Sequence, residues 1–529
     1  MTTYSGRLLL QLASLHIHGI VLAMWLPVFY STLCKMLAVP VGAAAVYVLT
    51  PRGWKRIQSW ISAEQPPRII RWVGGILLVF FAGWMLVLKT CQYLVLQSMH
   101  HVSMYLSMIW QTGAAGFLPN SFLHLRTQLG DHFEPVTVLY TPLARLAGSP
   151  LLVICVHGLL ILSSIFIVWH LCRRVGLSRG WGYLISAWFL TNPFFQGCLS
   201  TAFYPTPLAI PLFLMVLLSW EKDRWRAMVL WSMGLLLTKE EAGIALAALG
   251  IASCCLPHKR KLGLILLATG LGGWLVSLSI MGHFQQDLPS KWRYFTGGAS
   301  GDPPPTALGV ISHPLQLIER WAWPPQRFTP FLSLLYSTGG LILFFPPAFL
   351  AVLLTNAPHQ IAFPDYNLYW LLVFNYSSYL VPLLCWGTVH GLARAWTWKK
   401  RLRPYLVAIV LATTSIGCYR MAVHVAFIHL SPQKLQAAWS ALLSIGPNES
   451  VWTSSAFAPA LSFRPKIALY NEEYEADAFS FIPDVILVDV QDLLRDGPET
   501  QARLNQYLEA NNFRLQSQNR GVLLFRRLL

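Results

Sequence analysis

Thirteen apolar runs, separated by short basic clusters, constrain this chain more than any other feature. They are Leu8–Tyr30, Met36–Leu49, Trp72–Leu94, Leu151–Leu171, Gly182–Cys198, Pro205–Trp220, Ala227–Leu237, Ala242–Leu256, Leu262–Met281, Phe331–Phe345, Pro347–Leu354, Tyr366–Trp386 and Leu406–Ile428. A helix needs about 20 apolar residues to cross the hydrocarbon of a bilayer. The longer runs reach that length; the shorter ones require tilt, a snorkelling cap or a re-entrant path. Composition agrees. Only 12% of the 529 residues are charged, about half the usual share in a soluble domain. With 22 Trp and 28 Phe, most of the surface must face something apolar. The expected fold is an all-α polytopic transmembrane bundle of about 11–13 helices, followed by a small C-terminal α/β domain.

The formal charge of +17, from 39 Lys+Arg against 22 Asp+Glu, is not spread evenly. It gathers at Arg52/Lys55/Arg56/Arg68/Arg71, Arg173/Arg174/Arg179, Lys222/Arg224/Arg226, Lys259/Arg260/Lys261 and Lys399/Lys400/Arg401/Arg403. Basic clusters between apolar runs mark cytoplasmic loops, so the charge speaks for topology and against a nucleic-acid partner. All five are assigned to the cytoplasm. The opposite, outer side then carries the loop His100–Pro150, the turns Thr201–Pro207 and Thr238–Gly243, the loop His283–Pro330, the stretch Asn356–Asn375 and everything after about Ser431. Val136–Ala147 is apolar but too short to cross, and is expected to lie at the interface or re-enter. The nine cysteines lie in or beside apolar runs, without zinc spacing or a disulfide framework. The N-terminal run lacks a cleavage site and reads as a retained anchor.

After Ser431 the pattern changes. Gln433–Leu443 and Thr500–Asn511 read as helices; Val451–Thr453, Ile467–Tyr470, Val485–Val488 and Gly521–Arg526 read as strands. There is no Gly-rich phosphate loop and no nucleophile elbow.

Charges at membrane depth are costly and single out functional candidates. Lys239-Glu240-Glu241 lies between two apolar runs, as a snorkelling cap or as the wall of a polar cavity. Asp131-His132-Phe133-Glu134 precedes the short interfacial helix, where its acids serve as dipole caps, as acid and base, or as metal ligands. Tyr204, in the turn Phe203-Tyr204-Pro205, is an aromatic-belt residue or a site hydroxyl. Asn375-Tyr376-Ser377-Ser378-Tyr379 packs helices or lines the same cavity. Lysine and arginine counts put all four segments on one side. A wet hollow there suits a charged lipid head group. Lys239 would pair with phosphate, and Glu240, Glu241 or Asp131 would take a proton from an acceptor hydroxyl.

These residues also carry a resemblance. His132-Phe133-x-Pro135 with Ser149-Pro150, Phe203-x-Pro205 with Ala209-Ile210-Pro211, Lys239-Glu240, and Asn375-Tyr376 with Pro382 resemble a family of bacterial and archaeal predicted membrane proteins of unknown function. That family is similar in turn to the GT-C membrane glycosyltransferases. The similarity runs from about Trp72 to the C-terminus. The chain departs from the family pattern at Tyr204, Glu241 and Asn375, where the family usually has His, Asp and His. The local pattern around His101–Trp110 holds no acid, although GT-C enzymes commonly place an Asp early in the first outer loop.

The resemblance implies a GT-C-like bundle in the cytoplasmic membrane with an extracytoplasmic C-terminal domain. It divides the chain into an extra anchor and basic loop (1–71), the GT-C-like transmembrane domain (72–430) and the α/β domain (431–529). It implies transfer of a sugar from a lipid-linked, polyprenyl-phosphate donor to an envelope lipid, glycan or protein. Asp131, Glu240 and Glu241 would be catalytic; His132, Glu134, Tyr204, Lys239, Asn375 and Tyr376 would bind substrate. A divalent metal is compatible, with no ligand set defined. Two other classes fit the same sequence: a non-catalytic binder of lipid-linked glycans, and a lipid or sugar transporter.

Overall fold

The computed structural model describes residues 32–63, 67–96, 100–119, 127–284, 328–361, 374–398, 400–423, 431–470 and 481–528. The run Leu8–Tyr30, most of the loop His283–Pro330 and the start of the run Tyr366–Trp386 lie outside the described residues.

The described apolar runs form helices. In chain order they are α1 (Thr32–Tyr47), then α2 (Pro51–Ile61), α3 (Arg68–Leu94), α4 (His100–Gln111), α5 (Thr141–Ala147), α6 (Pro150–Leu162), α7 (Ser164–Arg174), α8 (Arg179–Thr191) and α9 (Pro193–Leu199). There follow α10 (Ala209–Glu221), α11 (Trp225–Leu236), α12 (Ala242–Cys254), α13 (Arg260–Phe284), α14 (Phe328–Ser337), α15 (Pro346–Ile361), α16 (Leu380–Trp398) and α17 (Arg403–Val423). Among the described residues, four stretches are long and apolar enough to cross a membrane: Arg71–Leu94, Pro150–Arg174, Pro257–Phe284 and Lys400–Arg420. A fifth span is possible only if α1 and α2, bent by 107° at Thr50-Pro51, count as one. Length separates these helices from shorter apolar ones such as α12.

Proline and serine explain the breaks. Gly182–Cys198 splits into α8 and α9 at Asn192-Pro193, where the Asn192 side chain caps the Phe194 N–H. Ser163 marks the junction of α6 and α7. In place of one interfacial helix at Val136–Ala147, a 3₁₀ turn at Pro135–Tyr140 runs into α5. The last-but-one apolar run was expected to end at Trp386, but α16 continues to Trp398. Its polar extension has buried partners: Trp386 Nε1 donates to Glu221 Oε1 at 2.9 Å, and His390 Nε2 stands 2.5 Å from the same oxygen.

The basic clusters meet at one end of the bundle. Arg174 reaches the Glu221 carbonyl at 3.2 Å, and Lys259 Nζ lies 2.6 Å from Asp223. Trp396 stacks its edges on Trp54 and Trp181 and carries the Arg403 guanidinium at 4.9 Å. Away from this end, α12 and α13 approach through facing glycines. A Cβ on Gly270 would stand 2.5 Å from the Ala247 nitrogen and 2.6 Å from the Gly243 carbonyl oxygen. Gly250 and Gly263 meet in the same way one heptad further along. Membrane helices lack a hydrophobic drive to associate, and small residues let their backbones close up.

The tail builds a five-stranded sheet, order β2-β1-β3-β5-β4, from β1 (Val451–Thr453), β2 (Ile467–Leu469), β3 (Val485–Asp489), β4 (Phe513–Asn519) and β5 (Val522–Arg527). β1, β2 and β3 are parallel; β5 is antiparallel to β3 and to β4. β4 was not expected. Its sequence is mostly polar because it is an exposed edge strand. One face of the sheet, with Trp452, Ile486 and Val488, packs on Leu493, Leu504 and Leu508 from helices α20 (Val490–Asp496) and α21 (Pro498–Ala510). The other face, with Val451, Val485 and Leu487, shares a core with α18 (Pro432–Leu443), α19 (Ala458–Leu461) and α4 of the first loop. Trp110 stacks on Phe463 at 5.1 Å, and Trp439 Nε1 donates to the Leu94 carbonyl at 2.9 Å. The tail is therefore seated on the first loop, at the end opposite the basic clusters.

Gly270→Val is expected to destabilise the protein by about 1–3 kcal/mol, the usual cost of overpacking. A lowered thermal midpoint in detergent would show it. Gly272→Ala, on the same helix but with nothing within 4 Å of its added methyl group, should leave the midpoint unchanged or raise it slightly.

Candidate functional site

The first loop, two interhelical turns and the end of α15 converge beneath the tail. The 3₁₀ turn Gln128–Gly130 is capped by the Thr127 hydroxyl and ends at Asp131. Gln128 Nε2 donates to Asp131 Oδ2 at 3.3 Å, and His132 Nε2 lies 3.9 Å from the same oxygen. The next residues dock on the turn between α11 and α12. His132 Nδ1 stands 2.9 Å from Glu240 Oε1, and the Phe133 N–H donates to Glu240 Oε2 at 3.1 Å. Three residues on, the Val136 N–H donates to the Leu237 carbonyl at 3.0 Å. One carboxylate thus ties together segments more than 100 residues apart in the chain. A carboxylate buried this far needs such partners, because desolvation otherwise drives out its charge.

Glu134 has a different environment. It is fully buried, receives a long hydrogen bond, 3.5 Å, from Thr206 Oγ1, and lies beside the Tyr105 hydroxyl. Burial raises its carboxyl above the usual range. His132 and Lys239 pull it back down, and the Glu240 charge adds to the rise. Around it stand Tyr105 and Tyr204, whose rings meet edge to face at 4.9 Å. Burial pushes both hydroxyls well above the ordinary phenol range, so both remain protonated.

Lys239 and Glu241 form the other pole. Their charged atoms are 3.5 Å apart, and Lys239 Nζ lies 5.7 Å from the centre of the Tyr376 ring. Thr238 and Tyr379 hydroxyls meet at 3.0 Å and tie the α11–α12 turn to the turn before α16. Asn375 lies in the same 3₁₀ turn as Tyr376, Phe374–Ser377; its side chain is outside the described residues. The structure therefore brings Asp131, His132, Glu134, Tyr204, Lys239, Glu240, Glu241 and Tyr376 to one end of the bundle. It also assigns them unequal tasks. Both Glu240 oxygens are occupied as a strut between segments, whereas Asp131 keeps a partly exposed carboxylate. Among the described residues, no group of three His, Cys, Asp or Glu side chains converges to hold a metal ion.

Three contributors escaped the sequence reading. Tyr105 comes from α4, a helix hidden in a loop that was read only for acids. Lys89, fully buried in α3, donates to the Thr201 carbonyl at 2.7 Å and fixes the turn that carries Tyr204 and Thr206. Its signal was a lone cation inside the run Trp72–Leu94. His359 of α15 sets its ring edge-on to Tyr376, 6.1 Å between centres. Its helix continues past Leu354, where the apolar run ends, so its polar last turns carry no apolar signal.

These features define a helical membrane protein whose polar chemistry gathers at one end under a small α/β cap. A family described as "Predicted membrane protein (DUF2079)" matches residues 93–524, and the chain belongs to that family. No curated protein sequence matches it. Among solved structures it is similar to ArnT from Cupriavidus metallidurans, bound to undecaprenyl phosphate (13% identity, 85% of this chain and 98% of that one, TM-score 0.47). The same enzyme in the apo state gives 13% identity, 85% and 97% coverage and a TM-score of 0.45.

The raised Glu134 carboxyl makes a pH prediction. A group whose pKa is raised by folding favours the folded state while it is protonated. That contribution is full below the pKa of the unfolded chain and is lost as pH rises through the folded value. The thermal midpoint of the wild type should therefore fall relative to that of Glu134→Gln as pH rises above the ordinary carboxylate range. Parallel curves for the two proteins would contradict it.

Proposed function

We propose that this protein is a GT-C-like glycosyltransferase that moves a sugar from a polyprenyl-phosphate carrier to an envelope acceptor. The observation that carries the reading is the Glu240 strut: it joins the Asp131–Glu134 segment to Lys239 and Glu241. Base, cation and hydroxyl groups then share one hollow. In this reading Asp131, held by Gln128 and beside His132, accepts the proton of the acceptor hydroxyl. The acceptor oxygen bonds to the anomeric carbon as the bond from that carbon to the carrier phosphate breaks. The carrier phosphate leaves with the electron pair, and Lys239 supports its charge. Glu240 positions His132 and the loop, and Glu241 tempers Lys239.

The topology follows. The basic end faces the cytoplasm, and the site end faces the outside of the cytoplasmic membrane. Residues 1–71 serve as an added anchor, 72–430 as the catalytic bundle and 431–529 as an extracytoplasmic cap over the first loop.

The second reading, a non-catalytic binder of lipid-linked glycans, draws on one observation. Glu240 is fully engaged in structural hydrogen bonds, which leaves Asp131 as the accessible acid of that segment.

Purified protein supplied with labelled polyprenyl-phosphate sugars and a membrane extract separates them. Transfer is expected in the wild type. It should fall by about 10²–10⁴-fold in Asp131→Asn, the range for loss of a general base. Glu240→Gln should lower transfer together with thermal stability. Binding of the donor without turnover in all three proteins supports the second reading instead.

A further inference from the structure

Helix α15 changes character along one face. Its buried positions recur in pairs every four residues: Ala351 and Val352, Thr355 and Asn356, His359 and Gln360. Residues four apart stack on the same side of a helix. The first pair is apolar and packs in the bundle core; the next two pairs are polar and nearly as inaccessible. Asn356 is 3% exposed, His359 4% and Gln360 2%. Such a face is costly in an apolar setting unless something polar lies against it. Among the described residues, Thr355 Oγ1 and Asn356 Oδ1 have no hydrogen-bond partner. Pro358, inside the helix, has no N–H to offer the Leu354 carbonyl.

The polar end of this face lies at the candidate site. α15 packs against α12 and α16, the helices that begin just after Glu241 and Tyr379. His359 meets the Tyr376 ring at 6.1 Å, and Lys239 Nζ lies 5.7 Å from the same ring. An ammonium, an imidazole, two carboxamides and a hydroxyl thus approach one region. Glu241 is the acid paired with Lys239 there. Asp131 and His132 lie on the other segment, and Glu240, next to Glu241 on the turn, directs its carboxylate to that segment. This separation suits a ligand with an anionic group at one end and a hydroxyl-bearing group at the other.

We infer that His359 is a ligand-binding residue of this site. With Lys239 and the polar face of α15, it receives a phosphoryl group, leaving the Asp131 segment for the acceptor. The inference rests on the glycosyltransferase reading for the identity of the ligand, and on the geometry of α15 for the residue. The shared chemistry is a phosphate oxyanion, whether lipid-linked or free.

The test uses the full-length protein in nanodiscs and three probes: undecaprenyl phosphate, undecaprenol and inorganic phosphate. Wild-type protein should bind undecaprenyl phosphate in clear preference to undecaprenol. His359→Phe keeps a ring against Tyr376 but removes the N–H groups, and should cut that preference about tenfold, as for a lost hydrogen bond to a charged group. Lys239→Gln should do the same. His258→Gln, exposed near the basic end, should change nothing. If His359→Phe does not fold, His359→Gln is read instead, with at least a threefold loss expected. A wild-type preference in folded His359 variants, with Lys239→Gln impaired, overturns the role of His359 and leaves the site reading intact. Preference retained in both overturns the two together. Displacement of undecaprenyl phosphate by equimolar inorganic phosphate assigns the oxyanion to free phosphate and overturns the lipid-linked ligand.

Discussion

The site depends on a carboxylate that cannot be left alone. Glu240 sits at the mouth of an apolar bundle, where an unpaired charge is expensive. It is satisfied by the His132 imidazole and the Phe133 amide. Those partners lie on a loop whose apolar residues Leu129, Phe133 and Tyr140 are buried in a core shared with the tail. Through this pair of contacts, and the Val136–Leu237 backbone bond beside it, the first loop is held on the α11–α12 turn. Everything that follows on that loop, including buried Glu134 and the short α5, takes its place from this attachment.

A similar economy holds the rest of that end together. Lys89 finds its partner in the Thr201 carbonyl, and the turn that carries Tyr204 becomes fixed to α3. The tail closes over the loop because one face of its sheet completes a core with α4 and α18. The opposite end follows different rules. There, arginines and lysines lie against carbonyls, tryptophan rings and the acids Glu221 and Asp223. The molecule is polarised: cations at one end, mixed acid, imidazole and hydroxyl chemistry at the other.

That polarity gives the site its chemical character. The acids do not form a uniform cluster. Glu240 is a strut, Glu134 is driven toward its neutral form by burial, Glu241 is paired with Lys239, and Asp131 remains partly open. Four carboxyl groups in one region thus divide into separate roles by environment alone, which is how pKa tuning allots acid and base tasks. The donor-rich face of α15 adds a second polar wall, across the Tyr376 ring from Lys239.

The sequence by itself determined most of the helices, most strands of the tail and the two ends of the bundle. These follow from local patterns: apolar runs of sufficient length, alternating strands and basic clusters between runs. It also singled out most of the polar residues that meet at one end of the bundle, because a charge amid apolar neighbours is visible without a structure. Several features were not legible in this way. The α4 helix, the exposed strand β4 and the polar face of α15 each had a pattern that a reading by apolar runs passes over. The contact of Glu240 with His132, the burial of Glu134 and the packing of α4 under the tail were decided only by tertiary structure. Each joins residues distant in sequence, and burial, which sets the cost of leaving a polar group unpaired, exists only once the helices have packed.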